Sequence, residues 1–128
     1  MPNTERILVV EDNRDAQEGL YSLLFREGYS VLTADNGQQA LDLLERGIRP
    51  RLVILDLVLP KVTGSDLLRY MQSDPDLRTT RIIVITAMNP EDVHAVADVI
   101  LYKPIDVAAL SAAVADLMPP SARVKSRR

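Results

Sequence analysis

The chain has 128 residues, of which 47% are hydrophobic and 26% are charged, and it contains no cysteine. This length suits a single domain with one sizeable core, and the lack of cysteine excludes disulfides and thiolate metal sites. The net charge is −3, and because residues 119–128 contribute +4, the rest of the chain carries −7, which argues against nucleic-acid binding by the globular part.

Short apolar runs and helical periodicity alternate through the first half of the chain. Residues 7–10 are predicted to form a buried strand, and residues 29–34 a second, more polar strand nearer an edge of the sheet. The helix between them ends at Gly28, and its buried face is predicted from apolar residues at helical spacing: Ala16, Leu20, Leu23 and Leu24. A second helix closes near Gly47, and residues 52–55 form a third strand, buried on both faces.

The second half of the chain continues this alternation. A third helix is predicted over residues 65–73, followed by a fourth strand at residues 82–85. A short fourth helix is predicted over residues 90–97, a fifth strand over residues 99–101, and a last helix over residues 106–118. Strands that alternate with helices imply an α/β fold in which helices cover both faces of a parallel sheet.

Polar residues follow the ends of four predicted strands. Glu11 and Asp12 follow the first strand, Asp56 follows the third, Thr86 follows the fourth, and Lys103 comes shortly after the fifth. The carboxyl ends of parallel strands lie at one edge of the sheet, and ligands bind there in such folds. We therefore expect these five side chains to converge on one rim.

Three carboxylates on one rim would repel one another unless a cation lay between them. A hard divalent ion with oxygen ligands meets this need, with Mg²⁺ preferred and Mn²⁺ as an alternative. The hydroxyl of Thr86 and the ammonium of Lys103 suit an anion with several oxygens, such as a phosphoryl group. Taken alone, Asp12 could equally be the N-cap of the first helix. Complementary chemistry at four strand ends favours a functional site over this simpler interpretation.

Four segments resemble, in the right order, the receiver domains of two-component response regulators: ILVVEDN, ILDLVLPKVTG, IVITA and LYKP. The resemblance covers residues 6–118. Within the family, the chain is similar to stand-alone receivers such as the chemotaxis regulators. It implies a doubly wound, flavodoxin-like sheet of five parallel strands in the order 2-1-3-4-5.

The resemblance also implies a role for each site residue. Asp56 would be the phosphoacceptor, and Thr86 and Lys103 would contact the phosphoryl group, with the peptide between Lys103 and Pro104 in the cis form. The metal ligands would be Glu11, through metal-bound water in many relatives, Asp12, Asp56 and the backbone carbonyl of Val58.

The function implied by the resemblance is phosphoryl transfer in signalling. A histidine kinase or a histidine phosphotransfer protein would be the donor, and the chain would act as a stand-alone regulator or relay on a downstream protein that the sequence does not identify. It would catalyse its own phosphorylation and slow dephosphorylation without turning over an external substrate. The alternative is a protein-binding scaffold of the same fold that is never phosphorylated.

The setting and the domain organisation follow from the same residues. No apolar run is long enough for a membrane span or a signal peptide, so we expect a cytoplasmic protein without membrane contact. One receiver domain is predicted over residues 1–118, followed by a basic, disordered tail over residues 119–128.

Three features depart from the family pattern. Ile100 stands where the family has a switch aromatic, and whether Tyr102, two residues on, takes over that role stays open. Only sixteen residues separate Thr86 from Lys103, which shortens the fourth helix. Two apolar residues, Val58 and Met88, stand where relatives that lose the phosphoryl group quickly carry polar side chains, which predicts slow self-dephosphorylation.

Overall fold

Five parallel strands form the sheet of this protein. The computed structural model describes residues 6–58, 62–87 and 96–119 of the chain. Its strands are β1 (Arg6–Val10), β2 (Ser30–Ala34), β3 (Leu52–Asp56), β4 (Arg81–Thr86) and β5 (Val99–Tyr102). They pair in the order β2-β1-β3-β4-β5, and each pair is parallel, which confirms the predicted sheet.

The described residues include four helices, each of which begins after a polar cap. They are α1 (Arg14–Arg26), α2 (Gly37–Glu45), α3 (Gly64–Ser73) and α4 (Val107–Leu117). The cap side chains that accept a backbone N–H of the first turn are Asn13, Asn36, Thr63 and Asp106. Since Asn13 caps α1, the interpretation of Asp12 as its N-cap is wrong. After α2 the chain turns at Gly47, whose φ of +102° is readily adopted only by glycine.

Helices cover both faces of the sheet, as predicted. Alternate strand residues face α2 and α3, namely Leu8, Val10, Val53, Leu55, Ile82 and Val84. The residues between them face α1 and α4, namely Ile7, Val9, Leu52, Ile54, Ile83 and Ile85. This alternation follows from the pleat of a strand, and each fully buried aliphatic side chain contributes about 1.5–3 kcal/mol to stability. Because β2 lies at an edge, its more polar sequence is explained.

The fourth predicted helix, over residues 90–97, lies mostly outside the described residues. Its last two residues, Val96 and Ala97, are described and are not helical, so this predicted end is wrong. The reason lies in Asp98, whose N–H donates to the Ile82 carbonyl at 2.8 Å and whose carboxylate accepts the Ile82 N–H at 2.8 Å. These two bonds tie Asp98 to β4 just before β5 begins, so the chain at Val96 and Ala97 has already left helical geometry.

Two further predictions concern the basic tail and the absence of a membrane span. From residue 120 onward the predicted basic tail lies outside the described part of the chain. Among the residues that are described, none of the helices has the length and apolar character needed to cross a bilayer.

Candidate functional site

The carboxyl ends of adjacent strands bring three carboxylates together. Glu11 and Asp12 directly follow β1, and Asp56 is the last residue of β3, the neighbouring strand. One carboxylate oxygen of each residue lies within 4.8 Å of the other two. Glu11 and Asp56 are buried, whereas Asp12 is exposed at the rim. The predicted convergence of the three acids is confirmed.

Both carboxylate oxygens of Asp56 have a partner. Oδ2 accepts a hydrogen bond from Lys103 Nζ at 2.7 Å, and Oδ1 accepts one from the Val58 N–H at 3.0 Å. Asp56 is only 5% exposed, so these bonds are made where water screens charge poorly. Charge-assisted bonds of this length are strong. Lys103 and the Val58 backbone therefore hold the Asp56 carboxylate in one orientation.

Lys103 faces two of the three acids. Besides its bond to Asp56, its Nζ lies 3.9 Å from Glu11 Oε1. The hydrogen bond to Asp56 raises the pKa of Lys103, against the opposing effect of burial, so the ammonium is retained at neutral pH. The Lys103 N–H donates to the Thr86 carbonyl at 2.9 Å, and the peptide between Lys103 and Pro104 is cis, as the resemblance implies.

Glu11 is held in the cluster at an electrostatic cost. Burial raises the pKa of Glu11 above its ordinary value of 4.5, and the charge of Asp56 acts in the same direction. The Asn13 N–H, which donates to Glu11 Oε2 at 3.1 Å, partly offsets this effect. Among the described residues, the cluster of three carboxylates thus forms ion pairs with one ammonium group, that of Lys103, which lies close to two of them. A hard divalent cation fits this set of oxygen donors and would neutralise the excess negative charge.

Thr86 ends β4, the strand that lies between β3, which ends at Asp56, and β5, which precedes Lys103. It is fully buried, and its register partner on β5 is Tyr102. Ile100 is partly buried and packs against the core on the face of the sheet that α2 and α3 cover, whereas Tyr102 is half exposed at the edge of the sheet. Ile100 therefore serves as a packing residue here, and Tyr102 is the aromatic side chain at the surface of this edge.

Gly64 allows α3 to begin directly against the end of β3. Its N–H donates to the Leu57 carbonyl at 3.2 Å. A Cβ atom at this position would lie 2.7 Å from Leu57 Cα and 3.0 Å from the Asp56 carbonyl oxygen, closer than real Cβ atoms approach a backbone atom. Any side chain at residue 64 would therefore push the segment after Asp56 away from the helix.

We expect the Gly64→Ala substitution to lower the free energy of unfolding by about 1–3 kcal/mol, because the backbone has to move to admit the methyl group. Gly19→Ala is a matched control, since Gly19 lies within α1 and, apart from its chain neighbours and the backbone of its own helix, no atom lies within 4 Å of the added Cβ. Alanine there should raise the free energy of unfolding by about 0.5–1 kcal/mol. Urea unfolding measures both values, and equal effects of the two substitutions would contradict the close approach at Gly64.

Gln17 is a residue near the site that the sequence analysis missed. The buried residues of α1 are Gln17, Leu20 and Leu24, whereas Ala16 is exposed, so the predicted place of Ala16 on the buried face is wrong. The Gln17 amide is buried because it donates hydrogen bonds to three acceptors at the ends of β1 and β2. Helical spacing could have placed Gln17 on the buried face of α1, since it precedes Leu20 by three residues and Leu24 by seven.

Comparison with known sequences agrees with this geometry. The family profile described as "Response regulator receiver domain" matches residues 7–115. The polar-differentiation response regulator DivK of Brucella anthropi is 35% identical over 81 residues, which is 63% of this chain and 65% of DivK. The match to the response regulator MprA of Mycolicibacterium vanbaalenii spans 34% of that protein, and the match to the transcriptional regulatory protein CpxR of Escherichia coli spans 35%.

Solved structures share the fold over most of the chain. The signal receiver domain of a signal transduction histidine kinase from Syntrophus aciditrophicus has a TM-score of 0.80 at 34% identity, with 88% of each chain covered. The response regulator TrrA from Thermotoga maritima, solved in complex with Mg²⁺-BeF, has a TM-score of 0.78 at 31% identity. That match covers 92% of this chain and 100% of the Thermotoga chain.

Proposed function

Because the chain belongs to the receiver domains of two-component response regulators, we propose that Asp56 is the residue at which it accepts a phosphoryl group. The observation that carries the proposal is the environment of the Asp56 carboxylate. It is buried at a strand end, it accepts a hydrogen bond of 2.7 Å from Lys103, and it lies beside the carboxylates of Glu11 and Asp12. This arrangement gives an anionic nucleophile a fixed direction and a cationic neighbour.

The transfer step needs one bond to form and one to break. A carboxylate oxygen of Asp56 attacks the phosphorus of the donor, and the bond between phosphorus and the donor nitrogen breaks as the electron pair returns to that nitrogen. Asp56 then carries an acyl phosphate. The Lys103 ammonium, which hydrogen-bonds Asp56 before transfer, lies where it can stabilise negative charge on the phosphoryl oxygens. We assign Thr86 to the same role from the β4 side.

The acid cluster is proposed to hold a divalent cation, with Mg²⁺ preferred and Mn²⁺ as the alternative. Its donors would be carboxylate oxygens of the cluster and one backbone carbonyl, from Glu11, Asp12, Asp56 and Val58. When bound, the ion supplies positive charge that offsets the repulsion between the attacking carboxylate and an anionic phosphoryl group. The complex of the Thermotoga relative with Mg²⁺-BeF supports this assignment.

The donor and the output follow from the same assignment. A phosphohistidine on a histidine kinase or on a phosphotransfer protein is the proposed donor, since family members of this kind are components of two-component signalling. We propose that residues 1–118 act as a regulator or relay whose phosphorylated surface is recognised by a further protein. The chain would catalyse its own phosphorylation from this donor and its own slow dephosphorylation, without acting as a turnover enzyme on an external substrate.

The proposal is tested by incubating the protein with acetyl phosphate and measuring its intact mass. With Mg²⁺ present, the wild type should gain the mass of one phosphoryl group, and excess chelator should prevent the gain. We expect the chelator to prevent phosphorylation because, without a cation, the three carboxylates would repel the incoming phosphate. A protein that gains no mass while it binds Mg²⁺ would favour the alternative of a binding scaffold that is never phosphorylated.

The lifetime of the phosphoryl group depends on water reaching it at the rim. Val58 is two residues beyond Asp56 and 61% exposed, so its apolar side chain lies at the mouth of the site. Met88, the second residue of this prediction, is outside the described part of the chain. Val58→Asn should accelerate loss of the phosphoryl group by about three- to tenfold, because an amide can orient an attacking water molecule.

Decay of the purified phosphoprotein, followed by intact mass, measures this rate. Val107→Asn is the matched control, because Val107 is similarly exposed, at 57%, and lies on α4, outside the acid cluster. Rapid decay of the wild type that Val58→Asn leaves unchanged would contradict the predicted shielding.

A further inference from the structure

The buried amide of Gln17 connects α1 to the strand ends that carry the acid cluster. Gln17 is 7% exposed, and its Nε2 donates to the Glu11 carbonyl at 3.1 Å, to the Ala34 carbonyl at 3.2 Å and to Asp35 Oδ1 at 2.8 Å. We propose that Gln17 is a positioning residue that fixes the turn of backbone bearing Glu11 and Asp12 and thereby sets the affinity of the site for Mg²⁺. The inference rests on the proposed function, because it assumes that this cluster holds the cation.

Gln17 completes the hydrogen bonding of the Glu11 backbone, because the Glu11 carbonyl accepts from its side chain. β1 ends at Val10, so Glu11 has left the regular ladder. Its N–H still donates to the Ala34 carbonyl at 3.1 Å, and its own carbonyl accepts from Gln17. That carbonyl belongs to the peptide that joins Glu11 to Asp12, so holding it sets the direction in which Asp12 leaves the sheet. Gln17 thus acts on two of the three acids without touching either carboxylate.

The side chain of Glu11 depends on the same turn. Its Oε2 accepts the N–H of Asn13, the residue that caps α1. A rotation of the peptide after Glu11 would move this N–H and release the carboxylate from its present orientation. Groups that hold metal ligands from behind, without touching the metal, commonly change metal affinity by about 10- to 100-fold when they are removed.

Gln39 provides a matched comparison in the same network. Asp35, which receives the shortest of the three Gln17 bonds, is also held from α2: its N–H donates to Gln39 Oε1 at 2.8 Å, and its Oδ2 accepts from Gln39 Nε2 at 3.4 Å. Gln39 therefore shares the Asp35 carboxylate with Gln17, but its hydrogen bonds are to Asp35 and Asn36 and not to Glu11. Removing each amide in turn separates the effect on the Glu11 peptide from the effect on Asp35.

The test compares Mg²⁺ binding by the wild type, Gln17→Met and Gln39→Met in titration calorimetry without any phosphodonor. We expect Mg²⁺ affinity to fall at least about tenfold in Gln17→Met and to stay within about twofold in Gln39→Met. In Mg²⁺-free protein, the backbone amide resonances of residues 11–13 should shift in Gln17→Met and stay in place in Gln39→Met. If Gln17→Met fails to fold, Gln17→Asn replaces it, because its shorter side chain cannot reach all three acceptors.

The outcomes separate this inference from the proposed function. Unchanged Mg²⁺ affinity in a folded Gln17 variant, with only a lower unfolding midpoint, would assign Gln17 a purely structural role and overturn the inference alone. An equal loss of affinity in Gln39→Met would also overturn it, because Asp35 and not the Glu11 peptide would then be responsible. A wild type that binds no Mg²⁺ would overturn the proposed function and this inference together.

Discussion

The Asp56→Asn substitution should reduce the rate of phosphorylation by acetyl phosphate by about a thousandfold or more. An amide has the shape of the carboxylate but lacks its negative charge, so it is a poor nucleophile toward phosphorus. Removing the nucleophile of a covalent mechanism is among the most damaging substitutions known for enzymes. The surrounding acids do not compensate, because Glu11 is directed by the Asn13 N–H and Asp12 lies at the exposed rim.

Asp42→Asn is the control for this prediction. It makes the same chemical change on α2, where the Asp42 carboxylate accepts a hydrogen bond from Gln38 at 2.9 Å and takes no part in the acid cluster. On incubation it should gain the mass of one phosphoryl group, as the wild type does. Labelling of Asp56→Asn at a rate near that of the wild type would rule out Asp56 as the principal acceptor.

Replacing Lys103 by methionine should slow phosphorylation about a hundredfold at saturating Mg²⁺. Methionine keeps most of the length and apolar stem of lysine but removes the ammonium that lies 2.7 Å from Asp56 Oδ2. Removing one oriented donor to a developing oxyanion typically costs a factor of about 10²–10³ in rate. The hydrogen bond to Asp56 raises the pKa of Lys103, so the wild type has this charge throughout the neutral range.

Lys103→Arg is the companion variant, because it retains the charge but places it on a larger, planar group. Its rate should fall between those of the wild type and Lys103→Met when the gain in intact mass is followed over time. A Lys103→Met variant that reacts within about threefold of the wild type would show that the ammonium does not assist transfer.

Most of the fold could be predicted from sequence periodicity. Continuous apolar runs such as residues 52–55 indicate strands buried on both faces, and in this chain they form the centre of the sheet. The more polar run that forms β2 indicates an edge, and the structure places it there. The end of the helix predicted at residue 97 could not be foreseen, because it depends on bonds between Asp98 and Ile82, which lie sixteen residues apart.

The sequence predicts which acidic residues form the site, but it does not predict the buried Gln17 that supports them. The rule that parallel strands end at one edge is enough to bring Glu11, Asp12 and Asp56 together. Ala16 and Gln17 both fit the helical spacing of α1, however, and apolar character alone ranks Ala16 above Gln17 for its buried face. The structure reverses this order, because only the Gln17 amide can satisfy backbone carbonyls at the strand ends, and such partners are visible only in three dimensions.

Reductive trapping of the phosphorylated wild type tests the central claim most directly. Borohydride reduces an aspartyl phosphate to homoserine, releasing phosphate, and peptide mass spectrometry then locates the homoserine in the chain. The environment of Asp56, between Lys103, Glu11 and Asp12, predicts homoserine at residue 56 after treatment with acetyl phosphate and Mg²⁺, and none in the chelator control. Homoserine at residue 12, the longer alcohol 2-amino-5-hydroxypentanoic acid at residue 11, or phosphorylated protein without homoserine at residue 56 would contradict the assignment of Asp56 as the phosphoacceptor.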